Sequence, residues 1–141
     1  MASIKTTVIR KSRTQSVLRQ YEASARQIVG RAGNLVRNTA VDSINQGAKS
    51  GVLYEKYNPR RSHRASAAGE PPATDTGFLV QNIRLVLDAD NLGASVESGA
   101  KYSEALEFGT STMAARPFLQ PALEENKPKI RRLQKQLFKA K

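Results

Sequence analysis

The chain contains no cysteine and no tryptophan, and His63 is the one histidine among its 141 residues. Without cysteine, neither a disulfide framework nor a thiolate metal site can form, so a reducing compartment such as the bacterial cytoplasm is the natural setting. Nucleophilic catalysis needs a base beside the nucleophile, and His63 stands in a polar stretch between Ser62 and Arg64. We interpret this histidine as an ordinary surface residue.

Long apolar runs are also missing from the sequence. No segment approaches the ~20 apolar residues that cross a bilayer, and the basic N-terminus lacks the apolar stretch of a secretion signal. We therefore expect a soluble protein that is made inside the cell and has no membrane partner.

The residue patterns of common enzyme and cofactor sites are absent. Glu104 and Glu107 have the spacing of neighbours on one helical face, but no histidine or aspartate nearby completes a metal-ligand set. The glycines follow neither the dinucleotide-binding pattern nor the P-loop pattern. We predict no catalytic residue, no bound cofactor and no metal site, and we classify the chain as a non-enzyme.

The chain is rich in positive charge, with 23 lysines and arginines against 12 acidic residues and a net charge of +11. The cations concentrate in three zones, at residues 10–37, 60–64 and 127–141. Such charge attracts phosphates, acidic lipids or acidic protein surfaces. Residues 60–64 therefore either grip phosphates or form a solvated loop or a dock for an acidic protein surface.

One functional hypothesis is thus a basic nucleic-acid-binding module. Its affinity for DNA would fall with salt, with a slope of about −0.9 per phosphate contacted. The usual reading devices, zinc-finger spacing and an aromatic stacking platform, are not found. This hypothesis is kept as the alternative.

Apolar residues spaced by three and four predict one long helix, or two helices in tandem, over residues 14–48. Gly30 and Gly33 lie inside it, so they mark either a kink or a face that another backbone approaches closely. Gly47 and Gly51 are expected to end the helix through a left-handed residue. Residues 52–57 then alternate as a short strand.

Residues 58–74 are polar, contain proline and glycine and show no apolar periodicity. A connection of this length is unusual in a compact domain, so the stretch is either a disordered flap or a surface arm used on a partner. We favour the arm.

The second half of the chain predicts short elements and one longer helix. A short helix at 77–83, capped by Asp75 or Thr76, precedes hairpin strands at 83–88 and 94–98. These strands and the strand near residue 54 should form one small antiparallel sheet. A helix at 102–108 should end at Gly109, and a last helix over 118–139 should kink or break at Pro128. The expected inner stripe of the last helix is Leu119, Leu123, Ile130, Leu133 and Leu137.

These elements predict an α+β fold, with a small antiparallel β-sheet packed against a long N-terminal helix and a C-terminal helix, and with a long extended arm. A single domain would span residues 1–141. Within it we expect a basic N-terminal arm at 1–13, a core at 14–125 that includes the extended loop at 58–74, and a basic C-terminal helical tail at 126–141.

Residues 102–124 carry the most specific pattern: an aromatic-rich segment, a Gly-Thr break at 109–110 and an Arg-Pro-Phe start of the last helix at 116–118. A Gly-Glu-Pro-Pro tract at 69–72 and an Asp-Thr-Gly-Phe-Leu run at 75–79 precede it. This order resembles the small neck or tail-completion (head–tail joining) proteins of long-tailed double-stranded-DNA phages, a family represented by gene product ten of a lambdoid phage. The resemblance covers residues 30–125.

The resemblance implies a structural virion protein that forms a homo-oligomeric ring where head meets tail, with about six or twelve copies by family analogy. Its partners would be copies of itself, the phage connector or adaptor, and tail-tube or tail-terminator proteins. DNA would pass nearby without specific contact. The protein would reside in the neck of the virion, and in the host cytoplasm during assembly.

We assign two groups of residues to this role. The subunit-interface signature comprises Tyr102, Leu106, Glu107, Phe108, Gly109, Thr110, Arg116, Pro117 and Phe118. The inter-subunit arm comprises Arg60, Arg61, His63, Arg64, Glu70, Pro71 and Pro72. We expect Tyr102, Leu106 and Phe108 to be buried against the sheet. Arg116 either pairs with the carboxylate of Glu107 and fixes the angle of the last helix, or is a surface residue at the start of that helix.

Overall fold

The computed structural model describes residues 13–139, so most of the expected N-terminal arm at 1–13 lies outside the described residues. The elements, in chain order, are α1 (Thr14–Gln46), β1 (Leu53–Tyr57), β2 (Arg60–Arg64), α2 (Phe78–Gln81), β3 (Ile83–Leu87), β4 (Ala94–Ser98), α3 (Ser103–Phe108) and α4 (Leu119–Lys139). Helices and short antiparallel strands thus occur together, and the predicted α+β class is confirmed.

The long helices α1 and α4 pack against each other and run in opposite directions. Asn126 of α4 donates a hydrogen bond from Nδ2 to Thr39 Oγ1 at 2.8 Å, whereas Leu137 lies beside the earlier residues Gln20 and Tyr21 of α1. Pro128 does not interrupt α4, so the expected break is absent.

The core lies between the C-terminal half of α1, the start of α4, and the segment from α2 to β3. Its buried apolar residues are Val36, Ala40, Ile44, Leu79, Ile83, Ala100, Phe118 and Ala122. Full burial of a side chain such as Phe118 stabilises the fold by about 1.5–3 kcal/mol. The predicted inner stripe of α4 is wrong at Leu123, which is 39% exposed. Ala122 and Asn126 occupy the buried positions in this part of the helix.

The strands form two separate two-stranded antiparallel sheets. The hairpin of β3 and β4 was predicted correctly, with Ile83 opposite Ser98 and Leu87 opposite Ala94. The expectation that β1 would join this sheet is wrong, because β1 pairs with β2 instead. Residues 60–64 of the expected extended loop at 58–74 instead form β2.

Gly33 and Gly47 lie where an added Cβ would clash with neighbouring atoms. A Cβ at Gly33 would clash with Leu85 Cδ1, so a side chain, and not the expected backbone, approaches this face closely, whereas a Cβ at Gly30 would meet nothing. The chain leaves α1 at Gly47 with a φ of −60°. The expectation that a left-handed residue would end the helix is therefore wrong.

Candidate functional site

The β1–β2 hairpin, residues 53–64, presents an exposed apolar and basic surface. Tyr57 is 75% exposed, and Leu53 and Tyr54 are each about half exposed. The side chains of Arg60 and Arg64 are exposed as well. Every side chain of the two strands is exposed except those of Lys56 and His63, which are half-buried. Apolar groups in such a position gain free energy when another surface covers them.

Asp75 anchors this hairpin near its turn, because Lys56 and Arg61 lie opposite each other one residue pair from that turn. Its carboxylate forms ion pairs with Lys56 of β1 and with Arg61 of β2, the latter at 3.1 Å. The hydrogen bond from Lys56, and then the charge of Arg61, lower the pKa of the Asp75 carboxyl. Of the two residues expected to cap α2, Asp75 does not do so, whereas Thr76 Oγ1 accepts the backbone N–H of Phe78, the first residue of the helix, at 3.4 Å.

The tract at residues 66–72 is a folded turn. The Glu70 carboxylate accepts hydrogen bonds from the Ser50 hydroxyl and from the backbone N–H groups of Ser50 and Ala67, at 2.5–2.9 Å. These bonds, led by that from the Ser50 hydroxyl, lower the Glu70 pKa to about 2. Pro72 is buried and Pro71 half-buried. These residues therefore support the base of the hairpin from within the same chain.

Glu107 holds the start of α4. Its side chain is buried and accepts hydrogen bonds from the backbone N–H groups of Phe118, Leu119 and Gln120 at 2.9, 3.0 and 2.7 Å. These are unpaired donors at the positive end of a helix dipole, where a carboxylate is stabilising. Of the two alternatives for Arg116, the pairing with Glu107 is wrong, since the amides occupy both carboxylate oxygens and no ion pair within residues 13–139 includes Arg116. Arg116 is half-buried, so it is not simply a surface residue either.

The rest of the signature forms the turn between α3 and α4. Gly109 ends α3 with a φ of +76°, and Thr110 donates its backbone N–H to the Met113 carbonyl at 2.8 Å. The backbone N–H of Arg116 donates to the carbonyl of Leu106 at 2.6 Å. Pro117 is half-buried and the exposed Thr110 lies at the turn. The turn thereby positions the side chain of Phe118 in the core.

The predicted burial of the signature is only partly right. Leu106 packs against the core, but Tyr102 is 45% exposed and Phe108 is 77% exposed. Phe108 fails the prediction because α3 buries Glu107 toward α4, which turns the next side chain outward.

Phe108 stands instead at the rim of an apolar groove of about 760 Å³. The groove lies between α1, β4, α3 and α4, and its apolar walls include Val29, Val36, Val96, Leu119, Leu123 and Ile130. Two exposed acidic residues, Glu97 and Glu104, also line it. Sequence patterns did not predict the groove, because its walls come from four elements.

Residues 13–139 contain no group of three or more histidine, cysteine, aspartate or glutamate side chains placed to hold a metal ion. Among the helices of this part of the chain, none has the length and apolar character needed to cross a membrane.

Comparison with known proteins returns no relative: no protein-family model, no curated protein and no solved structure matches this chain.

Proposed function

We propose that this protein is a structural, non-enzymatic component of a tailed-phage neck, which forms a homo-oligomeric ring at the head–tail junction. The sequence signature at residues 102–124 and its resemblance to neck and tail-completion proteins supply the place and the role. The partners would be the connector or adaptor on one side and tail-tube or tail-terminator proteins on the other.

The observation that carries the ring is the presence of two different unpartnered surfaces on one chain, the β1–β2 hairpin and the apolar groove. A cyclic ring needs a head-to-tail contact between two unlike faces, so that each copy offers one face and receives the other. Hairpin and groove meet this need, because both expose apolar side chains.

The charges on the two surfaces are also complementary. The hairpin carries Arg60 and Arg64, which take no part in its ion pairs with Asp75. The groove is lined by Glu97 and Glu104. Opposite charges of this kind set the register of a contact and disfavour pairing of two hairpins or two grooves.

Burial of the exposed hairpin side chains supplies a driving force for this contact. Each large apolar side chain that becomes fully enclosed contributes about 1.5–3 kcal/mol, against which the loss of translational and rotational freedom must be set. Assembly therefore depends on protein concentration, as mass action requires.

Charge exchange between the two surfaces tests the proposal. The double variant Arg60→Glu with Arg64→Glu should shift the protein from rings to monomers in sedimentation velocity, because it places acidic groups opposite Glu97 and Glu104. The variant Glu97→Lys with Glu104→Lys should do the same. Combining all four substitutions in one chain should restore the ring.

A matched control and a contradicting result follow from the same design. Arg131→Glu with Arg132→Glu changes the net charge equally but leaves hairpin and groove intact, so it should still form rings. If the fourfold variant is no more oligomeric than either double variant, the hairpin does not meet the groove.

One observation favours the alternative of a basic nucleic-acid-binding module. On α4 the exposed cations Arg131, Lys135 and Lys139 recur at every fourth residue, and no ion pair within residues 13–139 includes them. A stripe of this kind can contact phosphates in series. Negative-stain images of protein mixed with DNA separate the two functions, since rings support the neck component and beads along the DNA support the alternative.

A further inference from the structure

A second cavity, of about 320 Å³, lies at the base of the β1–β2 hairpin and is separate from the groove. Its walls combine polar and apolar side chains, among them His63, Ser66, Asp75, Phe78, Tyr102 and Arg116. The cavity thus collects residues from the hairpin, from the tract after it, from α2, and from the signature region.

Two side chains in this wall have buried polar atoms without partners in the described structure. They are Nε of Arg116 and Oγ of Ser66, a residue that is only 2% exposed. A buried polar group without a hydrogen bond is costly, and native proteins seldom leave one unpaired. Two such groups in one cavity wall therefore indicate that something else supplies their acceptor.

The chemistry of these groups defines the ligand. A guanidinium offers a rigid fork of N–H donors that fits the two oxygens of a planar carboxylate, and a hydroxyl donates a further hydrogen bond to an anion. The Arg116 charge has no counter-ion among the ion pairs of residues 13–139.

The cavity favours a carboxylate over a phosphate. The apolar side chains of Phe78, Leu79 and Leu106 suit the methyl or methylene groups that accompany a carboxylate.

We propose that this cavity is a carboxylate-binding site in which Arg116 donates from its guanidinium and Ser66 from its hydroxyl. The carboxylate comes either from a small free acid or from an aspartate or glutamate side chain of another polypeptide. The site does not depend on ring assembly through the groove, and its test can succeed or fail independently of that assembly.

Arginine Nε–Hε resonances of ¹⁵N-labelled protein test the site at a dilution where sedimentation shows the monomer. Sodium acetate should shift the Arg116 Nε resonance in a saturable way, and sodium chloride at the same ionic strength should not. Equal shifts in the two salts, no shift with acetate, or tighter binding of inorganic phosphate than of acetate would overturn the proposal.

Variants give a second readout through thermal unfolding. Acetate should raise the wild-type unfolding temperature above that in chloride, because a ligand of the folded state stabilises it. Arg116→Lys should lose this increment, whereas Arg84→Lys, on exposed β3, should keep it. Retention of the full increment by Arg116→Lys would contradict the site.

The Ser66→Ala variant distinguishes a role of the Ser66 hydroxyl in acetate binding from a role in folding stability. Because the Ser66 hydroxyl has no partner in the described part of the chain, its removal should not lower stability in chloride, yet it should weaken acetate binding by about three- to tenfold. Unchanged acetate affinity in this variant would count against the proposal.

The source of the carboxylate can be read from assembled protein. If a neighbouring copy supplies an acidic side chain, the Arg116 Nε resonance of the ring will already be shifted without acetate. If it is not shifted and still responds to acetate, the ligand is a free acid.

Discussion

Glu107 is the residue on which the start of α4 depends most directly. Its three hydrogen bonds to the backbone of residues 118–120 replace the side-chain cap that a helix normally takes from its own N-terminal residue. An acidic residue before a helix is a familiar pattern, but here it lies on a different helix, so the sequence alone did not indicate which donors it would meet.

The variant Glu107→Gln should lower the free energy of unfolding by about 1–3 kcal/mol, because the amide group places N–H donors against backbone N–H donors. Urea unfolding followed by circular dichroism measures the loss. Glu22→Gln, at an exposed position of α1 outside both proposed contact surfaces, is the matched control and should change stability by less than about 0.5 kcal/mol. Equal stability of the two variants would show that Glu107 is not the cap.

Glu70 predicts a response to acid. Its hydrogen bonds lower the folded-state pKa from 4.5 to about 2, so the folded state binds this proton less readily than the unfolded state does. The stabilisation is complete above the unfolded pKa and is lost as the pH falls through the folded pKa. Asp75, with its lowered pKa, adds to the effect in the same direction.

The free energy of unfolding should therefore fall between about pH 5 and pH 2, and fall less in Glu70→Gln than in the wild type. Chemical denaturation at a series of pH values in this window measures both slopes. Coinciding curves for the two proteins would rule out Glu70 as a source of acid sensitivity.

At the scale of elements, the helices and strands that carry apolar periodicity could be predicted from the sequence. The long helix, the β3–β4 hairpin and the two later helices all carry such a pattern, and all are present. Strand β2 carries none, since its residues are Arg60, Arg61, Ser62, His63 and Arg64. It pairs with β1 through backbone hydrogen bonds after the chain turns at Pro59, and such bonds need no apolar side chain.

The hairpin is the element on which assembly should depend. Asp75 bridges its two strands through Lys56 and Arg61, so its loss should release the hairpin from its orientation without unfolding the core. Asp75→Asn should therefore weaken ring formation while the unfolding temperature falls only slightly. Asp42→Asn, an exposed change on α1, is the control for the lost charge.

Sedimentation velocity measures ring formation by the Asp75→Asn variant, and thermal unfolding measures its stability. Wild-type oligomerisation in that variant would mean that the orientation of the hairpin does not matter for assembly.

At the scale of the whole molecule, the distribution of surfaces is uneven. The C-terminal half of α1 is buried at Val36, Ala40 and Ile44, whereas Val17 and Leu18 near its start remain exposed. The apolar stripe read from the sequence is thus real along the helix, but only part of it is covered within one chain. The groove and the cavity at Arg116 are each lined by several elements that are distant in sequence. No local sequence pattern therefore predicts them.

In the proposed ring, the hairpin that Asp75 holds contacts the groove of the next copy. That groove is bounded by α3 and by α4, whose first turn Glu107 caps. The proposed position within the virion rests on the resemblance, whereas the proposed contact between copies rests on the two surfaces. The contact is therefore the part of the account that can be examined with the isolated protein.

Cysteine cross-linking tests that contact most directly, because the natural chain has no cysteine and any disulfide must come from introduced residues. Tyr57→Cys on the hairpin combined with Leu123→Cys at the groove should give a ladder of linked subunits on a non-reducing gel after mild oxidation. Tyr57→Cys combined with Asp42→Cys, away from the groove, should give far less. No excess of linked subunits in the first variant over the second would contradict the hairpin-to-groove ring.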